Sequence, residues 1–285
     1  MTNLTSSLYT AWKKAVADEK IVNLFEASKD DVAGYWGKGD QIIYGIRSID
    51  GKLTYYAQNL TQSHEIEGGI ELKQLGGTGY ICQYNSYRAL RPGASHRPIG
   101  RQPDISAAPE DCRFHCQNAS HPISLLRREP LLKAKFKHSN WHAYYNVAPL
   151  DKDGHFLWIP ADSKTDLLPH SPQRLTLEFL DDAIQIFSQL TQTILFFNAL
   201  HAGASVNHIH LQALYYRYPL PIESASIVDY KGYSILDDYP VQAIVFSTET
   251  PAKEIFTCVD RLDQENIPFN LIMVKEHILV VAKDD

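Results

Sequence analysis

The sequence predicts an α+β fold, an antiparallel sheet with flanking helices. Short β-type runs recur along the 285 residues, separated by Gly, Asp and polar turns. Only a few stretches carry helical spacing, and two of these open on a Ser-Pro or Thr-Pro pair. Strand pairs mixed with few helices point to antiparallel pairing.

Each element follows from its own pattern. Leu4, Leu8, Trp12 and Val16 stand four apart, which predicts an amphipathic helix from Leu4 to about Lys20. QIIYGIR, KLTYYAQNL and TGYICQY read as strands of a meander. From Arg88 to about Glu110 the chain is rich in Pro, Gly, Ser and Arg and reads as a long loop. HAYYNVAP and HFLWIP read as two strands joined by a turn around Asp151–Gly154. Ser171 is the expected N-cap and Pro172 the first residue of a helix, with Leu175, Phe179, Leu180, Ala183, Ile184, Phe187 and Leu190 as its buried stripe. ILFFNAL, HIHLQALYY and YPVQAIVFS follow as strands, Thr250-Pro251 opens a helix to about Glu265, and PFNLIMVK and HILVVAK close the chain. The expected division is an N-terminal α/β region over 1–110, ending in the Pro/Gly/Arg loop, and a catalytic region over 111–285.

Composition narrows the class. A hydrophobic content of 44% supports a sizeable core. A net charge of −6 argues against nonspecific nucleic-acid binding, which favours a basic face. No run approaches the roughly 18–20 apolar residues of a membrane span. The start MTNLTSSLYTAWKK lacks a basic stretch followed by an apolar run, and there are only four cysteines. A cytoplasmic protein with no disulfide framework, no nucleic-acid partner and no membrane contact is expected.

Chemistry concentrates in SVNHIHLQALYY, residues 205–216. Side chains at i, i+2 and i+4 of a strand share a face, so His208, His210 and Gln212 line one side while Ile209, Leu211 and Ala213 enter the core. Upstream, Gly203, Ala204 and Ser205 provide close backbone approach, free N–H groups and a hydroxyl, as a phosphate requires. A neutral imidazole beside a phosphate can attack phosphorus through its unprotonated nitrogen, and a covalent nucleotidyl-histidine divides one hard displacement into two easier ones. Gln212 can donate to phosphoryl oxygens as charge shifts. The bland alternative is a strand whose histidines are merely hydrogen-bonded.

SVNHIHLQ resembles the H-x-H-x-Q motif of the histidine-triad superfamily, in the branch holding galactose-1-phosphate uridylyltransferase, diadenosine tetraphosphate phosphorylase and the GDP-hexose phosphorylases. It is most similar to the GDP-L-galactose/GDP-D-glucose phosphorylases. NVAPLDKDGHFLWIP, LLPHSPQRLT, YPLPIESA, DDYPVQAIVF and ENIPFNLIM resemble their segments in the same order, over roughly residues 130–280. The resemblance implies a histidine-triad-like fold and casts His210 as nucleophile, with His208 orienting it through its backbone carbonyl. Gln212 stands where hydrolases of the superfamily carry a third histidine. Ser205 and Asn198 resemble phosphate-contacting residues. The place of the family's K-F-N-F-x-K-like segment is held by LLKAKFKHSNWHAYYN.

Two further features are candidates. Cys112 and Cys116 form a C-x3-C pair which, with His115 or His121, could hold zinc; partly buried thiols are the alternative, and no second ligand pair is evident. Lys133, Lys135 and Lys137, with Arg127 and Arg128, could bind a diphosphate or phosphate, as could Arg88, Arg91, Arg97 and Arg101; solvated charge is the alternative. Asp181-Asp182 reads as a solvated helix pair.

The expected reaction is phosphorolysis of a nucleoside-diphosphate sugar, a GDP-hexose above all, with a nucleotide sugar and inorganic phosphate as partners and no required cofactor. The alternatives are a dinucleoside polyphosphate phosphorylase, a nucleotide hydrolase, or a nucleotide-binding protein without turnover. A homodimer sheet is an open expectation.

Overall fold

The computed structural model describes residues 3–18, 46–49, 52–55, 70–74, 81–85, 106–120, 124–146, 150, 154–165, 167–216 and 219–283. The chain opens with helix α1 (Leu4–Ala17). Two small antiparallel pairs follow: β1 (Ile46–Ile49) with β2 (Lys52–Tyr55), and β3 (Ile70–Gln74) with β4 (Ile81–Asn85). The predicted loop over 88–110 lies mostly outside the described residues; its end, from Ser106, leads into a short 3-10 turn at Pro109–Asp111.

Ten strands then build one sheet. They are β5 (Leu132–Lys135), β6 (Asn140–Tyr145), β7 (His155–Ala161), β8 (Thr193–Asn198), β9 (Leu211–Tyr215), β10 (Ser226–Tyr230), β11 (Tyr233–Asp237), β12 (Ile244–Ser247), β13 (Phe269–Val274) and β14 (His277–Ala282). Their spatial order is β10-β11-β12-β14-β13-β8-β9-β7-β6-β5, and the pairings are antiparallel. Helices α2 (Leu177–Ser188) and α3 (Ala252–Gln264) complete the expected α+β architecture of antiparallel sheet and flanking helices.

The two faces of the sheet divide the labour. One carries Ala143, Trp158, Leu195, Phe197, Leu211, Ala213, Leu271, Met273 and Ile278 into the main core, against Leu180, Ala183 and Ile186 of α2 and Ile255 and Val259 of α3. Helix α1 joins this core through Leu4, Leu8, Trp12 and Ala15, and Trp12 stacks on Tyr145 at 5.8 Å. The opposite face carries Gln212, Leu157 and Tyr144 in one cross-strand row. There residues 106–120 and 124–128 form a strap, and Phe114 and Leu125 pack over Tyr144, Leu157 and Ile159.

Three local expectations are corrected. Helix α2 starts at Leu177, not Pro172, because Thr176 outcompetes Ser171 as cap: its hydroxyl accepts the Phe179 N–H at 3.2 Å. The stretch before it stays outside the helix, with the Arg174 N–H donating to the Pro172 carbonyl at 2.7 Å in a tight turn, and the Ser171 carbonyl accepts the Ile209 N–H. Strand β9 begins at Leu211 rather than His208, so both histidines sit just ahead of it. Asp182 is not solvated but fully buried; it accepts the N–H groups of His138 and Ser139 and the Trp141 indole N–H at 2.9–3.0 Å, docking the β5–β6 turn on α2. The hairpin β10–β11, absent from the predicted elements, turns at Lys231-Gly232, both with positive φ as a two-residue hairpin turn requires. Among the described residues no helix is long and apolar enough to cross a membrane.

Candidate active site

Alternation holds through the motif. Ile209, Leu211 and Ala213 are 0–1% exposed in the main core. His208, His210 and Gln212 face the strap, and the Phe114 ring meets both imidazoles edge-on at 5.5 and 5.2 Å. Both histidines are buried rather than wet. The His210 Nδ1–H donates to the His208 carbonyl at 2.7 Å, which leaves Nε2 with the lone pair. Burial holds the His210 imidazole down to about 4, against the opposing pull of the His208 carbonyl. It is therefore a neutral base at neutral pH.

The backbone carrying His210 is gripped by a side chain that sequence reasoning passed over. The Gln173 carboxamide accepts the His210 N–H at 2.9 Å and donates to the His210 carbonyl at 3.2 Å and the Asn198 carbonyl at 2.9 Å. The Gln173 N–H donates to Asn207 Oδ1, and Asn207 Nδ2 donates to the Ser106 carbonyl. The only signal was membership of the LLPHSPQRLT segment, since nothing in its local pattern marks Gln173 as buried.

The candidate phosphate residues lie on the connection from β8. Asn198 ends that strand, and its Oδ1 accepts from Asn270 Nδ2 at 2.7 Å, which leaves its amide N–H groups to donate. Asn270 also donates to the Ala202 carbonyl and ties down the turn. Gly203 is exposed at φ +109°, and a Cβ there would come no closer than 3.9 Å to the Asn198 side chain. Backbone conformation rather than crowding demands glycine here. Ser205 is half-buried, and its carbonyl receives the Arg113 guanidinium at 3.5 Å. Gln212 Oε1 lies 3.0 Å from His155 Nε2.

The cysteine pair finds its partners elsewhere than expected. Cys112, Cys116, His170 and His208 bring four donor atoms within 4.8 Å of one another. His115 is not among them, and His121 lies outside the described residues. Cys112 Sγ to His208 Nδ1 and Cys116 Sγ to His170 Nδ1 are both 3.4 Å. A tetrahedral zinc with ordinary Zn–S and Zn–N lengths has S···N edges of about 3.5 Å. The His170 Nε2–H donates to the Ala107 carbonyl at 3.0 Å, which turns the Nδ1 lone pair toward the sulfurs. Burial, and then the neighbouring Cys112, push the Cys116 thiol up to about 12, so this pocket favours thiolates only around a cation. The donor set fits zinc.

The basic run does not converge on the histidines. Lys133 pairs in register with His142, and Lys135 with Asn140, on the outer strand β5. They share the site face but lie three strands, about 14 Å, from β9. Lys137 instead bonds Asp181 Oδ2 at 2.8 Å, away from the site. Arg88, Arg91, Arg97 and Arg101 lie outside the described residues.

No family model matches the chain. It is 28% identical over 194 residues to human GDP-D-glucose phosphorylase 1, covering 66% of this chain and 48% of that protein. It is 31% identical over 140 residues to GDP-L-galactose phosphorylase 1 of Arabidopsis thaliana, covering 45% and 30%. The chain spans about half the length, or less, of these curated relatives. The resemblance to GDP-hexose phosphorylases is thus borne out across two thirds of the chain. Among solved structures, yeast Ap4A phosphorylase Apa2 in complex with Ap4A superposes with a TM-score of 0.48 at 15% identity, over 74% of this chain and 72% of that one.

Proposed function

We propose that the chain is a nucleotidyl-transferring phosphorylase of nucleoside-diphosphate hexoses, a GDP-hexose foremost, working through a covalent nucleotidyl-His210. The observation that carries this reading is the bond from His210 Nδ1–H to the His208 carbonyl, which presents Nε2 as a nucleophile without prior deprotonation. The Nε2 lone pair attacks the phosphorus attached to the nucleoside. The bond from that phosphorus to the bridging oxygen breaks, and hexose 1-phosphate leaves with the electron pair. Charge gained by the imidazole is stabilised by the 2.7 Å bond to the carbonyl. An oxygen of inorganic phosphate then attacks the same phosphorus, the P–N bond breaks, and the nucleoside diphosphate departs. Asn198, Gly203 and Ser205 would hold the phosphates, and Gln212 would donate to the phosphoryl oxygens.

The same reading includes a structural zinc held by Cys112, Cys116, His170 and His208. Four protein ligands leave no open position for substrate, so the ion would supply rigidity rather than Lewis-acid chemistry. By fixing the His208 side chain it would also fix the peptide whose carbonyl directs His210.

Phosphorus NMR tests the reaction. Purified protein is given GDP-glucose, GDP-mannose, GDP-galactose, UDP-glucose or diadenosine tetraphosphate, each with and without inorganic phosphate. Phosphate-dependent release of GDP and a hexose 1-phosphate is expected. GMP formed without phosphate would make the protein a hydrolase, and binding without turnover would make it a nucleotide-binding protein.

A further inference from the structure

Gln212 can act on a phosphoryl group in two opposite ways. Its amide nitrogen attracts phosphoryl oxygens, whereas its carbonyl oxygen repels them. Which end faces His210 must be decided by something else, because the two ends have nearly the same shape. His155 stands where that decision is made. It opens β7, is 1% exposed, and pairs in register with Leu214, so its ring lies diagonally beside Gln212 on the site face. Its plane stacks at 27° on Phe196, the residue paired with Gln212 from the other side.

The proton on His155 can be placed from its partners. The Leu150 N–H donates to His155 Nδ1 at 3.0 Å. A backbone N–H can only donate, so Nδ1 is the bare nitrogen and a neutral ring carries its proton on Nε2. That Nε2–H faces Gln212 Oε1 at 3.0 Å and donates to it. Asn146 Nδ2 stands 3.3 Å from the same nitrogen; two N–H donors cannot bond each other, so with Nε2 protonated the Asn146 carboxamide turns over to present its oxygen there.

We propose that His155 is a positioning residue: relayed from the Leu150 N–H, its Nε2–H captures Gln212 Oε1 and commits the Gln212 amide nitrogen to the phosphoryl group at His210. Two histidines of one site then hold opposite tautomers for complementary ends. His210 keeps its proton on Nδ1 to bare a nucleophile, and His155 keeps its proton on Nε2 to aim a donor. The role rests on the proposed reaction, since only a phosphoryl group at His210 makes the direction of the amide matter.

Two measurements on the full chain test it. Long-range proton–nitrogen NMR of histidine-labelled protein reads the tautomers directly and needs no turnover. His155 is expected as the Nε2-protonated form and His210 as the Nδ1-protonated form. A His155 protonated on Nδ1 overturns the proposal even if the enzyme is active. Kinetics supply the second readout. His155→Phe removes both nitrogens and is expected to lower kcat roughly tenfold to a hundredfold with KM within about twofold. His155→Gln can accept from Leu150 and donate to Gln212, and should recover most of the rate. Because His155 acts through Gln212, His155→Phe combined with Gln212→Ala should be no slower than Gln212→Ala alone. Wild-type kcat in His155→Phe, or losses that multiply in the double variant, would sink the idea. If the wild-type protein turns over none of the nucleotides, the proposed reaction fails, while the tautomer measurement still judges the hydrogen-bond relay.

Discussion

The His210 ring and the His208 carbonyl are 2.7 Å apart, and the ring that belongs to that carbonyl points at Cys112, 3.4 Å away. One residue therefore serves two neighbours, the nucleophile through its main chain and the cysteine pair through its side chain. An H-x-H spacing in extended backbone makes this geometry available, because the two rings share a face while the intervening residue is locked in the core. Ile209 performs that locking at 0% exposure.

Replacing the nucleophile should separate chemistry from folding. His210→Ala is expected to lower turnover by at least about 10⁴-fold, with circular dichroism and melting temperature close to wild type. In the wild-type protein, omission of phosphate should leave a nucleotidyl adduct on intact protein, seen by mass spectrometry and missing from His210→Ala. A variant that turns over at the wild-type rate would refute the mechanism.

Zinc should copurify at one ion per chain. Cys112→Ser, Cys116→Ser and His170→Ala are each expected to lose it, measured by elemental analysis, while Cys258→Ser keeps it. Removal by a chelator should lower Tm by roughly 5–10 °C, the scale of about 2–3 kcal/mol for a domain of this size. Full metal content in His170→Ala would remove that residue from the ligand set.

Gln173→Ala should be costly because the Gln173 carboxamide holds the backbone that carries His210. It strips partners from the His210 N–H and carbonyl and the Asn198 carbonyl at a site where Gln173 is 4% exposed. A loss of about 2–4 kcal/mol is expected from urea melts, since buried polar groups left unsatisfied cost more than a hydrogen bond contributes. A cost below about 0.5 kcal/mol would show that water replaces the carboxamide freely.

The ion pair of Lys137 with Asp181 at 2.8 Å gives stability a pH dependence. The hydrogen bond from Lys137, aided by His138, holds the Asp181 carboxyl below its ordinary range. Its folded value is depressed, so its contribution is complete above the unfolded carboxylate value and is lost as pH falls through the folded one. Asp181→Asn should flatten that acid-side loss in melts recorded from pH 6 downward, most clearly at low salt. Lys137→Ala should leave phosphate affinity unchanged; a weakened affinity would return Lys137 to the site.

What could be read from the sequence was whatever depended on neighbours along the chain. The alternation of Ile209, Leu211 and Ala213 with His208, His210 and Gln212 is such a case, and so are the helical spacings of α1 and α2. What could not be read depended on tertiary proximity. His170 stands 54 residues from Cys116 and 38 from His208, so no local spacing announced a fourth ligand. Asp182 looks like any helix-surface acid until the β5–β6 turn brings it three donors. Thr176 and Ser171 are both competent caps, and the motif backbone decided between them by engaging Ser171. The β10–β11 hairpin escaped because β10 is exposed along its whole length and so shows no one-sided apolar alternation.

Trp12 of α1 stacks on Tyr145 and meets Phe156 edge-on, and these partners are encoded far downstream. On the ribosome the helix leaves the tunnel long before β6 and β7 exist. At about 5–20 residues per second, that delay is roughly 7–27 s. Throughout it the apolar stripe of Leu4, Leu8 and Trp12 is nascent and unsheltered, a surface on which chaperones can act before the sheet arrives to cover it.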